Sequence, residues 1–284
     1  MPKGKIISFN GGNASIFYNN EIINCSIKGL FRKLKIKPTV GDDVIFNEEK
    51  KVVEDILPRK NIFLRPSISN LDHVFVVSSL KEPLFSRELL NIFLSFLAPY
   101  NVDTSIIFTK TDLMDDIPYY LEQDYLNMGY KCYFFAKNKE LDSSLKEEFK
   151  GTIALLGQTG VGKSTLINRF IPSAKLTTSS ISKALGRGKH TTTASTLIPY
   201  EKGFLIDTPG FSSVELNYYK EDLASYYPSF SLYKPCYFHD CLHLKEKDCA
   251  IIKALEEGKI KKIDYEIYQK LLANLPYRKD RFSR

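Results

Sequence analysis

The stretch Ile153-Ala154-Leu155-Leu156-Gly157-Gln158-Thr159-Gly160-Val161-Gly162-Lys163-Ser164-Thr165-Leu166 constrains this chain more than any other. An apolar run with strand character leads into G-x-x-x-x-G-K-S, and the residues from Ser164 to Phe170 read as the first turns of a helix. Glycines at 157, 160 and 162 let the backbone curl until its N–H groups converge on phosphate oxygens. The helix beginning there adds the partial positive charge of its N-terminus. Lys163 is placed to reach the β- and γ-phosphates, and the Ser164 hydroxyl to ligate Mg²⁺. A chance match to the motif arises in roughly one chain of this length in a hundred. The flanking strand and helix lower that further, so nucleotide binding is expected.

Around this centre the chain divides into three. Residues 4 to 56 hold short alternating runs, such as Lys5–Phe9, Ala14–Tyr18 and Val44–Phe46, separated by Asn10-Gly11-Gly12, Asn19-Asn20 and Gly41-Asp42-Asp43. That spacing predicts a small all-β barrel. Within it, Lys28–Lys37 is basic with interleaved apolar residues; it reads either as a solvated face or as a nucleic-acid surface on an OB-like barrel. Pro58–Asn61 and Arg65-Pro66-Ser67 look like a linker. From Asp72 onward strands alternate with helices, the signature of a parallel sheet. Residues 177–193 are polar and Ser/Thr-rich with little periodicity, which predicts a loop.

Two further signals belong to the same chemistry. Asp207-Thr208-Pro209-Gly210 follows a strand, so Asp207 is expected near the Mg²⁺ water shell and the Gly210 N–H at the γ-phosphate. Thr109-Lys110-Thr111-Asp112 ends another strand. The Asp112 carboxylate can accept both the ring N–H and the exocyclic amine of guanine, with Lys110 along the base; adenine would leave that carboxylate unpaired. The order is unusual: the base motif precedes the phosphate motif. A circular permutation explains it, because both sites are spatial objects that survive relocation of the chain ends.

Of five cysteines, Cys25 and Cys132 lie in apolar strands and read as inert core. The other three form Cys236-x4-Cys241-x-His243-x5-Cys249, a closed set suited to one structural Zn²⁺ with no position left for catalysis; His239 is a possible competing ligand. Two helices with Gly258 between them are expected over Ile251–Leu275, carrying a lysine-rich face of Lys253, Lys259, Lys261, Lys262 and Lys270. The net charge of +7 mildly favours a polyanionic partner. No apolar run approaches eighteen residues and no charged-then-apolar leader is present, so neither a membrane span nor a signal peptide is expected, and the cytoplasm is the expected location.

With these motifs in this order, the chain resembles the RsgA (YjeQ) family of circularly permuted, small-ribosomal-subunit-dependent GTPases, and the resemblance also takes in Gly188-Lys189-His190-Thr191-Thr192-Thr193. It implies an N-terminal OB-fold RNA-binding domain (1–63), a central α/β circularly permuted P-loop G domain (64–217) and a C-terminal helical zinc-binding domain (218–284). It also implies GTP and GDP as ligands, Mg²⁺ held by Ser164 and a switch threonine, Thr192 or Thr191, and a monomer that binds the rRNA of the 30S subunit late in its maturation. Two departures stand out. Thr109 replaces the commoner Asn, and Phe135-Ala136-Lys137 replaces Ser-Ala-Lys, leaving the Ala136 N–H and Lys137 as base contacts. Phe211 stands where Ras-like enzymes carry a water-orienting glutamine, so slow intrinsic hydrolysis is expected; His190 is the candidate catalytic group, against the alternative of a loop histidine without a role. Three classes remain open: a ribosome-assembly GTPase, a nucleotide-gated RNA-binding module with incidental hydrolysis, and an ATP-using P-loop enzyme, which Asp112 argues against.

Overall fold

The computed structural model describes residues 1–10, 12–64, 66–171, 195–207, 214–233, 236–238 and 241–278. Five strands, β1 (Lys3–Asn10), β2 (Asn13–Tyr18), β3 (Glu21–Ile27), β4 (Asp43–Asn47) and β5 (Val52–Ile56), close into a barrel in the order β1-β2-β3-β5-β4. Every second residue points inward, so Ile6, Ala14, Ile16, Cys25, Val44, Phe46 and Val53 make the core. The basic stretch after β3 is partly helical. Gly29–Lys33 forms a short helix, α1, and drives Phe31 into the barrel core while Leu30 and Leu34 stay exposed.

The segment expected as a linker is instead packed. Strands β6 (Ile62–Leu64) and β7 (Ser67–Ser69) form a hairpin whose Phe63 and Ile68 are fully buried in the central core. Asp42, also fully buried, clamps barrel to hairpin: it accepts from Thr39 N at 2.8 Å, Ser69 Oγ at 2.6 Å, and Arg59 Nε and NH2 at 2.7 and 2.8 Å. A charge this deeply buried is tolerable because every lone pair has a donor.

The central sheet runs β10 (Lys131–Phe135), β9 (Asp103–Thr109), β8 (His73–Ser79), β11 (Gly151–Leu156), β13 (Gly203–Asp207), β12 (Thr196–Tyr200), all parallel except β12. Such strands are buried on both faces, which is why they read as unbroken apolar runs. One face, with Val74, Val76, Ile106 and Phe108, packs on α2 (Arg87–Leu97) and α3 (Tyr120–Asn127). The other, with Phe75, Val77, Ile107 and Leu155, packs on α4 (Ser143–Glu148) and α5 (Lys163–Phe170). The first strand in sequence, β8, lies beside the P-loop strand β11, so the permuted order still yields one sheet.

The C-terminal part contains α6 (Lys220–Tyr226), α7 (Ala250–Glu256) and α8 (Lys262–Asn274), with Gly258 at φ +72° between the last two. It has an aromatic core of its own, built on Leu223, Tyr227, Phe230, Tyr265 and Tyr268. The expected lysine face is largely neutralised: Lys261 pairs with Asp124 at 2.6 Å, Lys270 with Glu88 at 2.7 Å and Lys259 with Glu257 at 2.6 Å. Two of these reach across to the central domain, so the face is partly an internal seam.

Candidate nucleotide site and metal centre

The phosphate and base motifs sit together at the C-terminal ends of the parallel strands, where open α/β sheets bind ligands. Gly157 leaves β11 so close to β8 that a Cβ there would lie 2.2 Å from the Val77 carbonyl oxygen. Gly162 takes φ +98° immediately before α5, a left-handed turn that aims the first helical amides of Lys163, Ser164 and Thr165 into the loop. Gln158, Thr159 and Gly160 form the exposed crest, and Val161 is buried beneath it. Lys163 Nζ donates to the Gly157 and Gln158 carbonyls at 2.5 and 2.9 Å. Burial lowers its pKa to about 8.

Thr109, at the end of β9, donates its hydroxyl to the Val161 carbonyl at 2.5 Å, a bridge from the base motif to the P-loop made by a hydroxyl where the commoner Asn would offer an amide. Thr111 is buried below it, and the exposed Asp112 carboxylate accepts the Lys137 N–H at 3.3 Å. That bond brings Ala136-Lys137, after β10, beside the base motif. Lys110 adopts φ +59° and donates through Nζ to the Glu82 carbonyl. Glu82 and Pro83 were not singled out from the sequence, although an X-Pro pair between a strand and a helix cap is a turn signal. Asp207 closes β13 opposite Thr196. His190, Thr192, Gly210 and His239 lie outside the described residues.

A cleft of about 750 Å³ opens at the other end of the sheet, lined by Asp72, His73, Asp103, Lys131 and Glu148. Its volume suits a ligand better than its charges do: Lys131 already holds Glu148 at 2.6 Å and Lys60 holds Asp72 at 2.5 Å. The convergent, glycine-lined strand ends are the stronger candidate.

Cys236, Cys241, His243 and Cys249 place their ligand atoms within 4.8 Å of one another. His243 Nδ1 is 3.5, 3.3 and 3.2 Å from the sulfurs of Cys236, Cys241 and Cys249, and the first and last sulfurs are 3.7 Å apart. A tetrahedral Zn²⁺ with ordinary bond lengths needs edges of about 3.7 Å between sulfurs and about 3.5 Å from sulfur to nitrogen, so the donor set fits. Backbone N–H groups of Ala250 and Ile252 point at the sulfurs of Cys236 and Cys249 at 3.3 and 3.5 Å. Burial pushes the Cys241 thiol up to about 12 and lowers His243, costs that a bound cation offsets by taking thiolates and a neutral imidazole. Three supporting residues were not legible beforehand. Glu246 accepts the N–H groups of Leu242, Leu244 and Lys245 at 2.7, 2.7 and 2.9 Å, and Tyr265 and Tyr268 donate to the carbonyls of His243 and Leu242 at 2.6 and 3.0 Å.

The comparisons agree along the whole chain. Residues 3–53 match the RsgA N-terminal domain and 56–217 the RsgA GTPase. The Small ribosomal subunit biogenesis GTPase RsgA of Staphylococcus saprophyticus is 37% identical, covering 99% of this chain and 100% of that protein. Its counterpart in Halalkalibacterium halodurans is 38% identical over 94% and 95%. The crystal structure of YjeQ from Thermotoga maritima superposes with a TM-score of 0.81 at 30% identity, covering 98% of this chain and 99% of that one. YloQ, described as a circularly permuted GTPase, gives 0.79 at 33% identity over 99% and 97%. With the permuted sheet, the joined phosphate and base motifs and full-length relatives in agreement, the chain belongs to the RsgA GTPase family.

Proposed function

We propose that this chain hydrolyses GTP to GDP and phosphate and works as an assembly factor of the small ribosomal subunit, binding its rRNA. The observation that carries the reading is the Thr109–Val161 bond, which sets base motif and P-loop at one separation, as a ligand with a guanine at one end and phosphates at the other requires. The nucleotide residues are Thr109–Asp112, Ala136, Lys137, Gly157–Thr165, Asp207 and Gly210. Ser164 and Thr192 would hold Mg²⁺, which neutralises charge on the phosphates when bound. Cys236, Cys241, His243 and Cys249 would hold one structural Zn²⁺.

The chain's own contribution to hydrolysis is positioning. P-loop amides and Lys163 orient the γ-phosphate, and Asp112 excludes adenine. Because Phe211 cannot orient water, His190 or a group supplied by the ribosome has that task. The barrel offers a cleft of about 430 Å³ lined by Phe9, Ile27, Phe31, Lys35 and Lys37, an apolar floor with a cationic rim that suits unpaired bases and phosphates. Three functional units, 1–63, 64–217 and 218–284, a monomeric state and a cytoplasmic location complete the reading; among the described residues no helix is long and apolar enough to cross a membrane.

Phe211 also keeps a second reading alive, a nucleotide-gated RNA-binding module with incidental hydrolysis. GTP turnover measured alone, with purified small subunits and with large subunits separates the two. Stimulation by small subunits alone is expected; a rate indifferent to both would favour the second reading.

A further inference from the structure

Helix α2 joins the guanine end of the nucleotide site to the C-terminal domain. The turn before it, Leu80–Phe85, is tied to the base motif at two points and to the end of β8 at a third. Lys110 Nζ donates to the Glu82 carbonyl, Leu80 N to the Thr109 carbonyl at 3.1 Å, and Ser79 Oγ to the Pro83 carbonyl at 2.6 Å. Lys110 and Glu82 both take left-handed φ values, +59° and +58°, which residues other than glycine hold only where surrounding contacts impose them. Ser86 then caps the helix, accepting Leu89 N at 3.2 Å.

The first helical residue, Arg87, grips the other domain. Its Nε and NH2 donate in a parallel fork to Oδ1 and Oδ2 of Asp264 on α8, at 2.7 and 2.9 Å, and NH1 donates to Asp124 at 2.8 Å. Asp264 is fully buried and also accepts from Asn91 at 3.0 Å. Asn91 in turn accepts from Tyr125 OH at 3.0 Å, and Tyr227 OH donates to the Asp264 carbonyl at 2.7 Å. A buried pair of this kind adds little net stability over an apolar pair. What the bidentate fork does impose is geometry: it closes only when α8 sits on α2 in one register.

Resting on the GTPase reading, we propose that Arg87 is a positioning residue coupling guanine-site occupancy to the C-terminal domain. A bound guanine orders Lys110 alongside it, Lys110 holds the Glu82 turn, the turn sets the start of α2, and Arg87 at that start holds Asp264. This route needs the base and not the γ-phosphate. It is therefore distinct from any signal leaving through Asp207–Gly210, and GDP suffices to drive it.

The test is amide hydrogen exchange on the zinc-loaded full chain, with and without GDP, once calorimetry has shown GDP to saturate. In the wild type, GDP should slow exchange in Lys262–Asn274 about fivefold or more, the low end of ordinary coupling energies. The double variant Arg87→Met/Asp264→Leu leaves no unpaired buried charge, since Asp124 keeps Lys261 at 2.6 Å. It should still bind GDP but lose the protection. Glu88→Gln, which breaks only the exposed pair with Lys270 at 2.7 Å across the same seam, should keep it. Should the double variant fail to fold, Arg87→Lys replaces it, and less than half the protection should remain. Equal exchange with and without saturating GDP, undiminished protection in the Arg87 variants, or equal loss in Glu88→Gln would each overturn the proposal. A wild type that binds no guanine nucleotide would strike the GTPase reading instead.

Discussion

Thr109→Val is the most informative single substitution at the nucleotide site. The change keeps the branched shape and removes the hydroxyl, at a position 1% exposed. The Val161 carbonyl, which accepts that hydroxyl at 2.5 Å, then lacks its partner at the base of the P-loop. Leaving one buried acceptor unsatisfied costs about 1–3 kcal/mol. At about 2 kcal/mol the melting temperature of a domain of this size falls by about 4–8 °C. Binding suffers for a separate reason. The nucleotide requires the P-loop and the base motif at a set separation, and the bond holds that separation before the ligand arrives. If without it only a tenth of molecules keep the spacing, GDP and GTP affinities fall about tenfold. Thr109→Ser retains the hydroxyl and should stay close to wild type in both measurements. Calorimetric titration with GDP and GTP, together with scanning calorimetry of the same samples, reads both effects. A valine variant that melts and binds like wild type would refute the argument that this bond organises the site.

Three further outcomes follow from the same geometry. Asp112→Asn should weaken GTP by at least about 2 kcal/mol and bring a relative gain for XTP, whose carbonyl meets the new amide; unchanged GTP affinity would remove Thr109–Asp112 from the site. Lys163, held near 8 by burial, should rise in pKa beside phosphates, so binding takes up a proton above that pH. Guanine nucleotide affinity should therefore fall as pH rises from about 7 to 9, approaching tenfold per unit above the free pKa, and a flat profile would count against the contact. Cys241→Ser, or chelation, should empty the metal site, since structural zinc binding supplies roughly 10 kcal/mol or more. Exchange should quicken across Cys236–Cys249 first, because α6–α8 retain their aromatic core; metal analysis finding no zinc in the wild type would end this reading.

Residues that act through local spacing were legible without coordinates. The P-loop glycines, Thr109–Asp112 and the Cys-Cys-His-Cys set each announce themselves within a few positions of chain, because turn conformation, helix start and ligand reach are short-range properties. The alternation of strands and helices after Asp72 followed from apolar period, and the observed helix Arg87–Leu97 starts at a capping serine, Ser86, whose role is equally local. The linker reading of Pro58–Asn61 and Arg65-Pro66-Ser67 missed the hairpin Ile62–Ser69, because the turn residues say nothing of Phe63 and Ile68 on either side, whose burial depends on a partner surface elsewhere. The lysine face misled for the same reason: charge in sequence carries no record of Asp124 or Glu88 waiting on another domain.

The sequence by itself determined the chemistry on offer: a phosphate cradle, a guanine reader, a four-ligand metal set, and the order that demands a permuted sheet. Tertiary structure alone decided how these parts are fastened to one another. Thr109 meets Val161 across 52 positions and Arg87 meets Asp264 across 177. Pairings at such distance depend on the register of packed elements, which no local periodicity encodes. A buried charge such as Asp42 or Asp264 reads in the sequence as an ordinary surface carboxylate until folding brings its donors around it.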